Sequence, residues 1–260
     1  MLLLVIVFFS AVRLRLLDSP LERDEGEYAY AGQLMLQGIA PYTLAYSMKL
    51  PGTYAAYALI MAGFGQSAAG IHLGLLFVNA GTVVLMFLLG RELFEARTGL
   101  IAAASYALLS ASPDVLGFAA HATNFVVLCS LAGVLALSRA IERGRRWRFA
   151  VSGGLLGLAV LMKQPGVFVG MFGVVWLLAV ELRRKPIDWR QTSGRFASFA
   201  AAMLLPLVVT GLMLWKAGVF GKFWFWTVTY AGAYASAVPP SQVLHNLREG
   251  LEAAVFPNGT

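Results

Sequence analysis

Long apolar runs recur along this chain with short basic clusters between them, and that alternation leaves few folds open. A helix that crosses a hydrocarbon core needs about 20 mostly apolar residues, because its backbone groups have no water to bond. Such runs are expected at 1–17, 69–90, 98–112, 120–140, 149–163, 166–182 and 196–217. Seven spans in 260 residues leave little chain for a soluble unit. The expected fold class is therefore an all-α polytopic membrane protein, built as one domain over 1–260. A mean hydropathy of +0.72 with only 13% charged residues agrees.

The net charge of +7 does not imply a nucleic-acid partner, because the basic residues flank the apolar runs, where topology is set. Arg139 to Arg148 holds five arginines against one glutamate, and Arg183 to Arg195 holds five basic residues against one aspartate. Both loops are assigned to the cytoplasm, and alternation puts the loop from 18 to 68, the Ser112–Ala119 loop and the Lys163-Gln164-Pro165 turn on the opposite face. Trp224, Trp226, Tyr230 and Tyr234 would lie at headgroup level on that outer side. The glycine pairs Gly153/Gly157 and Gly166/Gly170 allow close helix packing.

The residues that break the apolar pattern collect between Leu21 and Gly52, LERDEGEYAYAGQLMLQGIAPYTLAYSMKLPG. From Glu25 to Gln37, Tyr28, Ala31, Leu34 and Met35 share one helical face while Glu27 and Gln37 tend to the other, the pattern of an interfacial helix. Gly38 and Pro41 end it. Pro51 opens a second short segment to Phe64, roughly 13 residues and so too short to span comfortably.

Each chemically able residue here has two readings. Asp24 is a carboxylate on the wet side that can take a proton from a nucleophile; equally, it is a good N-cap, with Glu27 completing a capping-box-like pair. Lys49 and Lys163 can each pair with a phosphate, or can snorkel to the interface and complement a helix C-terminus. Asp114 and His121 flank the second outer loop, either as participants or as solvated and packing residues. His72 and His245 read as structural. Three histidines without a metal-binding spacing, and the lone Cys129, give no metal or disulfide signature. Nor is there a phosphate-binding glycine loop of the kind that drives nucleotide-dependent pumps.

Taken together, these residues resemble the membrane glycosyltransferases that use polyprenyl-phosphate sugars: dolichyl-phosphate-mannose protein mannosyltransferases, aminoarabinose transferases of lipid A and galacturonosyltransferase-like relatives. The matching elements are Asp24-Glu25 within ERDEGEYAYAGQ after a first helix, then Lys49-Leu50-Pro51, then Lys163-Gln164-Pro165. The resemblance covers the chain as the N-terminal portion of such an enzyme, and a protein truncated at Thr260 is expected. It implies a GT-C-type transmembrane bundle with interfacial helices in its first outer loop. It further implies an inverting transfer of sugar from a polyprenyl-phosphate donor to a hydroxyl of a lipid, glycan or protein acceptor.

By the same resemblance Asp24 would be the general base, Glu25 would support or orient it, and Lys49 and Lys163 would neutralise the donor phosphate. Tyr28, Asp114 and His121 are the candidate supporting residues. No nucleotide or other cofactor is required. Met48 stands where some relatives carry a metal-holding glutamate, and Gly52 stands where others have a second proline, so metal dependence stays open and no ligand set is expected. The implied setting is a multi-pass protein of a bacterial inner membrane, surrounded by membrane lipids, with its site on the extracytoplasmic face. Two other readings share the same residues: a lipid-linked sugar transporter or flippase, and a non-catalytic fragment.

Overall fold

The computed structural model describes residues 1–112, 117–236 and 239–255, and among them every regular element is helical. The elements are α1 (Leu2–Leu14), α2 (Arg23–Leu36), α3 (Pro51–Phe64), α4 (Ala68–Leu93), α5 (Ala96–Leu109), α6 (Ala122–Arg143), α7 (Arg146–Met162), α8 (Gly166–Arg183) and α9 (Trp189–Lys216). An aromatic run follows as α10 (Phe220–Trp224), a π-helical turn (Phe225–Tyr230) and α11 (Ala231–Ala235), then α12 (Pro240–Val255). Among the described residues four helices, α4, α6, α8 and α9, are long and apolar enough to cross a membrane, while α1 and α5 are apolar but shorter. The protein is thus an all-α polytopic membrane protein.

The expected cap of α2 is overturned. Its N-cap is Glu22, whose carboxylate accepts from the backbone N–H of Asp24, and the reciprocal partner is Glu25, whose carboxylate accepts from the Glu22 N–H at 2.9 Å. The helix starts one residue before Asp24, so Asp24 stands in the first turn, and neither Asp24 nor Glu27 serves in the capping box. Glutamate is a weaker N-cap than aspartate by statistics. It takes the place here because a buried Glu25 fixes the register from inside.

α7 is the pivot of the bundle, packed against α6, α8 and α9. Gly153 and Gly157 explain the closest of these contacts, since a Cβ on either would run into the backbone carbonyls of Phe199 and Met203 on α9. Ser152 ties α7 to α6 through the Gly133 carbonyl, at 2.8 Å. Arg13, buried near the end of α1, donates to the carbonyls of Ser110 and Gly117 at 3.0 and 2.8 Å and so clamps both sides of the loop between α5 and α6.

The two ends of the bundle differ in chemistry. At one end Arg184 donates to the Ile141 carbonyl, and Arg195 makes a buried pair with Glu181 at 2.8 Å, so the two basic loops adjoin. At the other end lie the α2–α3 loop, residues 117–121 and the Lys163 turn. The aromatic run returns to that end: Trp226 stacks on Tyr46 with ring centroids 4.8 Å apart, and Phe223 meets Tyr42 edge-on. Trp226 is therefore engaged with the protein, whereas Trp224, Tyr230 and Tyr234 are exposed.

Candidate active site

Three stretches far apart in sequence meet at the second end, and short contacts hold them in register. The first turn of α3 lies against the last turn of α7. Thr53 donates to the Met162 carbonyl at 2.7 Å, Gln164 donates to the Met48 carbonyl at 2.6 Å, and a Cβ on Gly52 would collide with the Leu161 carbonyl. Only a residue without a side chain lets α3 start this close to α7. The consequence is that Lys49 and Lys163, 114 positions apart, face one region.

Asp24 stands at the centre of this region. Its Oδ2 is 3.6 Å from the Lys49 ammonium and 3.9 Å from Nδ1 of His121, and it accepts a 3.4 Å hydrogen bond from the Tyr28 hydroxyl. Arg23 approaches Oδ1 at 3.3 Å from the solvent side. Partial burial opposes ionisation of Asp24, but Lys49, Arg23 and His121 outweigh it and hold the carboxyl below its ordinary value. The group is an anion with a water-accessible edge. Burial, reinforced by Asp24 itself, pushes the Tyr28 phenol up, so Tyr28 is a fixed neutral donor.

The two lysines differ. Lys163 donates to Thr123 Oγ1 at 3.3 Å; burial first, then the nearby Lys49 charge, lower its pKa, with Asp24 opposing. An ammonium held under these conditions gains by meeting an anion. Lys49 is positioned through its backbone: its carbonyl accepts from the Tyr42 hydroxyl at 2.8 Å and its N–H donates to Ser47 Oγ, which also bonds Tyr54. Tyr42 adopts a φ of 66° to make this bend.

Glu25 points the other way, into the protein. It is 1% exposed, and its Oε1 accepts from the Ala120 N–H at 2.6 Å and faces Nε2 of His72 at 3.2 Å. The other ring nitrogen, Nδ1 of His72, lies 2.8 Å from the Leu17 carbonyl. A carbonyl and a carboxylate only accept, so a ring that satisfies both donates from both nitrogens. Burial works against a charged Glu25, yet His72 and the two backbone donors prevail and hold its carboxyl below the ordinary range. Glu25 therefore ties α2 to α4 and to the chain just before His121.

The sequence-predicted residues Asp24, Lys49, Lys163, Tyr28 and His121 come together. Glu25 supports the same framework from inside and does not share the exposed region, and Asp114 lies outside the described residues. Sequence reasoning missed Glu22, the pairing of His72 with Glu25, the contact of Gln164 with the Met48 carbonyl, and the tyrosine set Tyr42/Tyr54. Glu22 Oε2 is 3.7 Å from Nε2 of His121, and His72, read only as structural, is the partner of Glu25. An acid three residues before Glu25 was the available signal for Glu22; nothing local marked His72.

No group of three or more His, Cys, Asp or Glu side chains among the described residues is arranged to hold a metal ion. The Met48 carbonyl is engaged by Gln164 and its thioether is a poor ligand for a hard cation. The residues present do not fit a divalent ion at the Lys-Pro element.

Comparison with known proteins decides the family. The sequence model of the dolichyl-phosphate-mannose-protein mannosyltransferases matches residues 49–213. The chain belongs to that family. This is the GT-C glycosyltransferase group implied by Asp24-Glu25, Lys49-Leu50-Pro51 and Lys163-Gln164-Pro165. It is also similar to the undecaprenyl phosphate-alpha-4-amino-4-deoxy-L-arabinose arabinosyl transferase of Pseudomonas aeruginosa PAO1, 28% identical over 215 residues. The enzyme of the same name from Pseudomonas paraeruginosa PA7 is 29% identical over 216 residues. Each match covers 78% of this chain but 38% of the relative, so the chain spans well under half the length of these family members. No solved structure matches it.

Proposed function

We propose that this chain carries the donor-side catalytic face of an integral-membrane glycosyltransferase, which moves a sugar from a polyprenyl-phosphate donor to a hydroxyl acceptor. The observation that carries the reading is one ionised carboxylate, Asp24, paired with Lys49 of the α2–α3 loop at 3.6 Å, with Lys163 at the end of α7 near enough to feel both charges. Asp24 accepts the acceptor's hydroxyl proton as its oxygen attacks the anomeric carbon, and the bond to the phosphate oxygen breaks on the opposite face with inversion. The electron pair leaves on polyprenyl phosphate, whose negative charge Lys49 and Lys163 neutralise. Tyr28 and His121 hold the Asp24 carboxylate in place.

The tail of such a donor has a place to lie. An apolar cleft of about 330 Å³ opens beside the lysines, lined by Met35, Pro41, Pro51, Leu161, Met213 and Leu214. With the basic ends of α6–α9 in the cytoplasm, the site faces the opposite side of a bacterial inner membrane. The names of the relatives agree with an undecaprenyl-phosphate carrier.

The test follows radiolabelled sugar from a polyprenyl-phosphate donor in membranes bearing the chain or its Asp24→Asn variant. Transfer by the parent that the variant loses supports the assignment. Undiminished transfer by a correctly inserted variant removes Asp24 as base, and donor movement across the bilayer without transfer favours a transporter instead.

A further inference from the structure

At the end of the bundle away from Asp24, the geometry points to a second phosphate site, one for an anionic phospholipid of the surrounding membrane. A cleft of about 300 Å³ lies between α4, α6 and α7. Its wall toward the middle of the bundle is apolar, from Leu85, Ala132 and Val151, and its mouth is formed by Arg139, Arg143, Arg148 and Trp147. Apolar wall and cationic rim follow one another along α6, a helix long enough to span a bilayer, and along α7 beside it. This is the order in which a phospholipid presents acyl chain and phosphate.

The charges at the rim are not balanced. Arg139 is held by Glu92 at 2.8 Å, and the other oxygen of Glu92 is buried without a hydrogen-bond partner. Arg148 stands over the Trp147 ring at 5.2 Å with Arg139, Arg143 and Arg145 as its charged neighbours, and its Nη1 is out of contact with solvent and without a hydrogen-bond partner. A topology signal needs basic residues in a loop; it does not need a guanidinium nitrogen left without a partner beside an apolar cleft. An unpaired Nη1 turned away from water costs free energy until an acceptor meets it. A phosphodiester oxygen is such an acceptor, and a guanidinium fork matches it better than an ammonium does. The apolar wall selects a lipid over a free anion, and Arg143 and Arg148 at the mouth select an anionic headgroup over a zwitterionic one.

Native mass spectrometry of the purified full chain, titrated with phosphatidylglycerol or phosphatidylcholine, tests this. Phosphatidylglycerol is expected to bind at least about fivefold more tightly than phosphatidylcholine, and the double variant Arg143→Gln/Arg148→Gln to weaken it by about tenfold or more. The control Arg183→Gln/Arg190→Gln, which removes equal charge from exposed positions at the same end, is expected to change it less than about twofold. Equal losses in both doubles would reduce the effect to diffuse charge and overturn the site. So would equal binding of the two lipids, or displacement of bound lipid by millimolar inorganic phosphate. If the glutamine double unfolds, the single variant Arg148→Gln is expected to weaken phosphatidylglycerol by at least about threefold, and a smaller change in the folded single variant overturns the proposal.

Discussion

Glu25→Ala removes the acceptor on which three donors converge: the Ala120 N–H at 2.6 Å, the Glu22 N–H at 2.9 Å and the His72 ring at 3.2 Å. The side chain is 1% exposed, so water does not replace it without opening the structure. Breaking a buried ion pair by deleting one partner costs about 3–5 kcal/mol, because the other charge stays buried and alone. At roughly 2–4 °C per kcal/mol for a chain of this size, the melting temperature should fall by about 6 to 20 °C. The assay is thermal unfolding of the full chain in detergent at one scan rate. Glu25→Gln keeps one carbonyl oxygen for the Ala120 N–H but loses the counter-charge, and should fall by a smaller amount. His72→Ala completes a cycle in which the double variant loses less than the sum of the singles, by at least about 1 kcal/mol. A Glu25→Ala melting temperature within about 2 °C of the parent would refute the reasoning, since no buried pair of this kind can be dispensable. Strict additivity in the cycle would refute the pairing with His72.

The other predictions concern charge and catalysis. Glu25 and Asp24 have folded pKa values below their ordinary 4.5 and 3.8, so the stability they supply is present above those values and is lost as pH falls through the lower folded ones. The melting temperature should hold from neutral pH to about 5 and then drop, with a smaller drop in Glu25→Gln. Asp24→Asn should lower sugar transfer by about 10²–10⁴-fold with little effect on melting, since the Asp24–Lys49 pair is partly exposed. In the parent the acid limb of the rate profile should lie below 3.8, and a limb well above that value would remove Asp24 as base. Lys49→Met and Lys163→Met should each reduce transfer by about 10²-fold, measured as initial rates at fixed donor. Gly52→Ala should push α3 away from the Leu161 carbonyl and lower transfer more than its melting temperature suggests.

Much of this architecture was legible because it follows from local rules. Apolar runs gave the helices, Pro51 marked the start of α3, and the Lys163-Gln164-Pro165 turn separated α7 from α8. The convergence of Asp24, Lys49 and Lys163 was legible only through resemblance, because the contacts that create it, Thr53 to Met162 and Gln164 to Met48, join residues more than 100 positions apart. The cap of α2 was misread for the same reason. Local preference favours an aspartate, and what overrode it was the long-range demand of Ala120 and His72 for the Glu25 carboxylate. His72 itself, one polar residue in an apolar helix, could be assigned only once its two acceptors were known.

The acidic pair at the start of α2 is therefore two devices. Neighbours on an α-helix point about 100° apart, so Asp24 and Glu25 cannot serve one exposed site together, and the environment of each shows the division. Asp24 meets side-chain cations at a partly exposed edge, Glu25 meets backbone donors and a buried ring. The Glu25 oxygen that takes the Ala120 N–H sets the chain immediately before His121, and His121 in turn lies 3.9 Å from Asp24. The inner carboxylate positions, through Ala120, a neighbour of the outer one. Under the proposed function, then, the acid pair needs only one carboxylate at the substrate, with the other holding the floor beneath it.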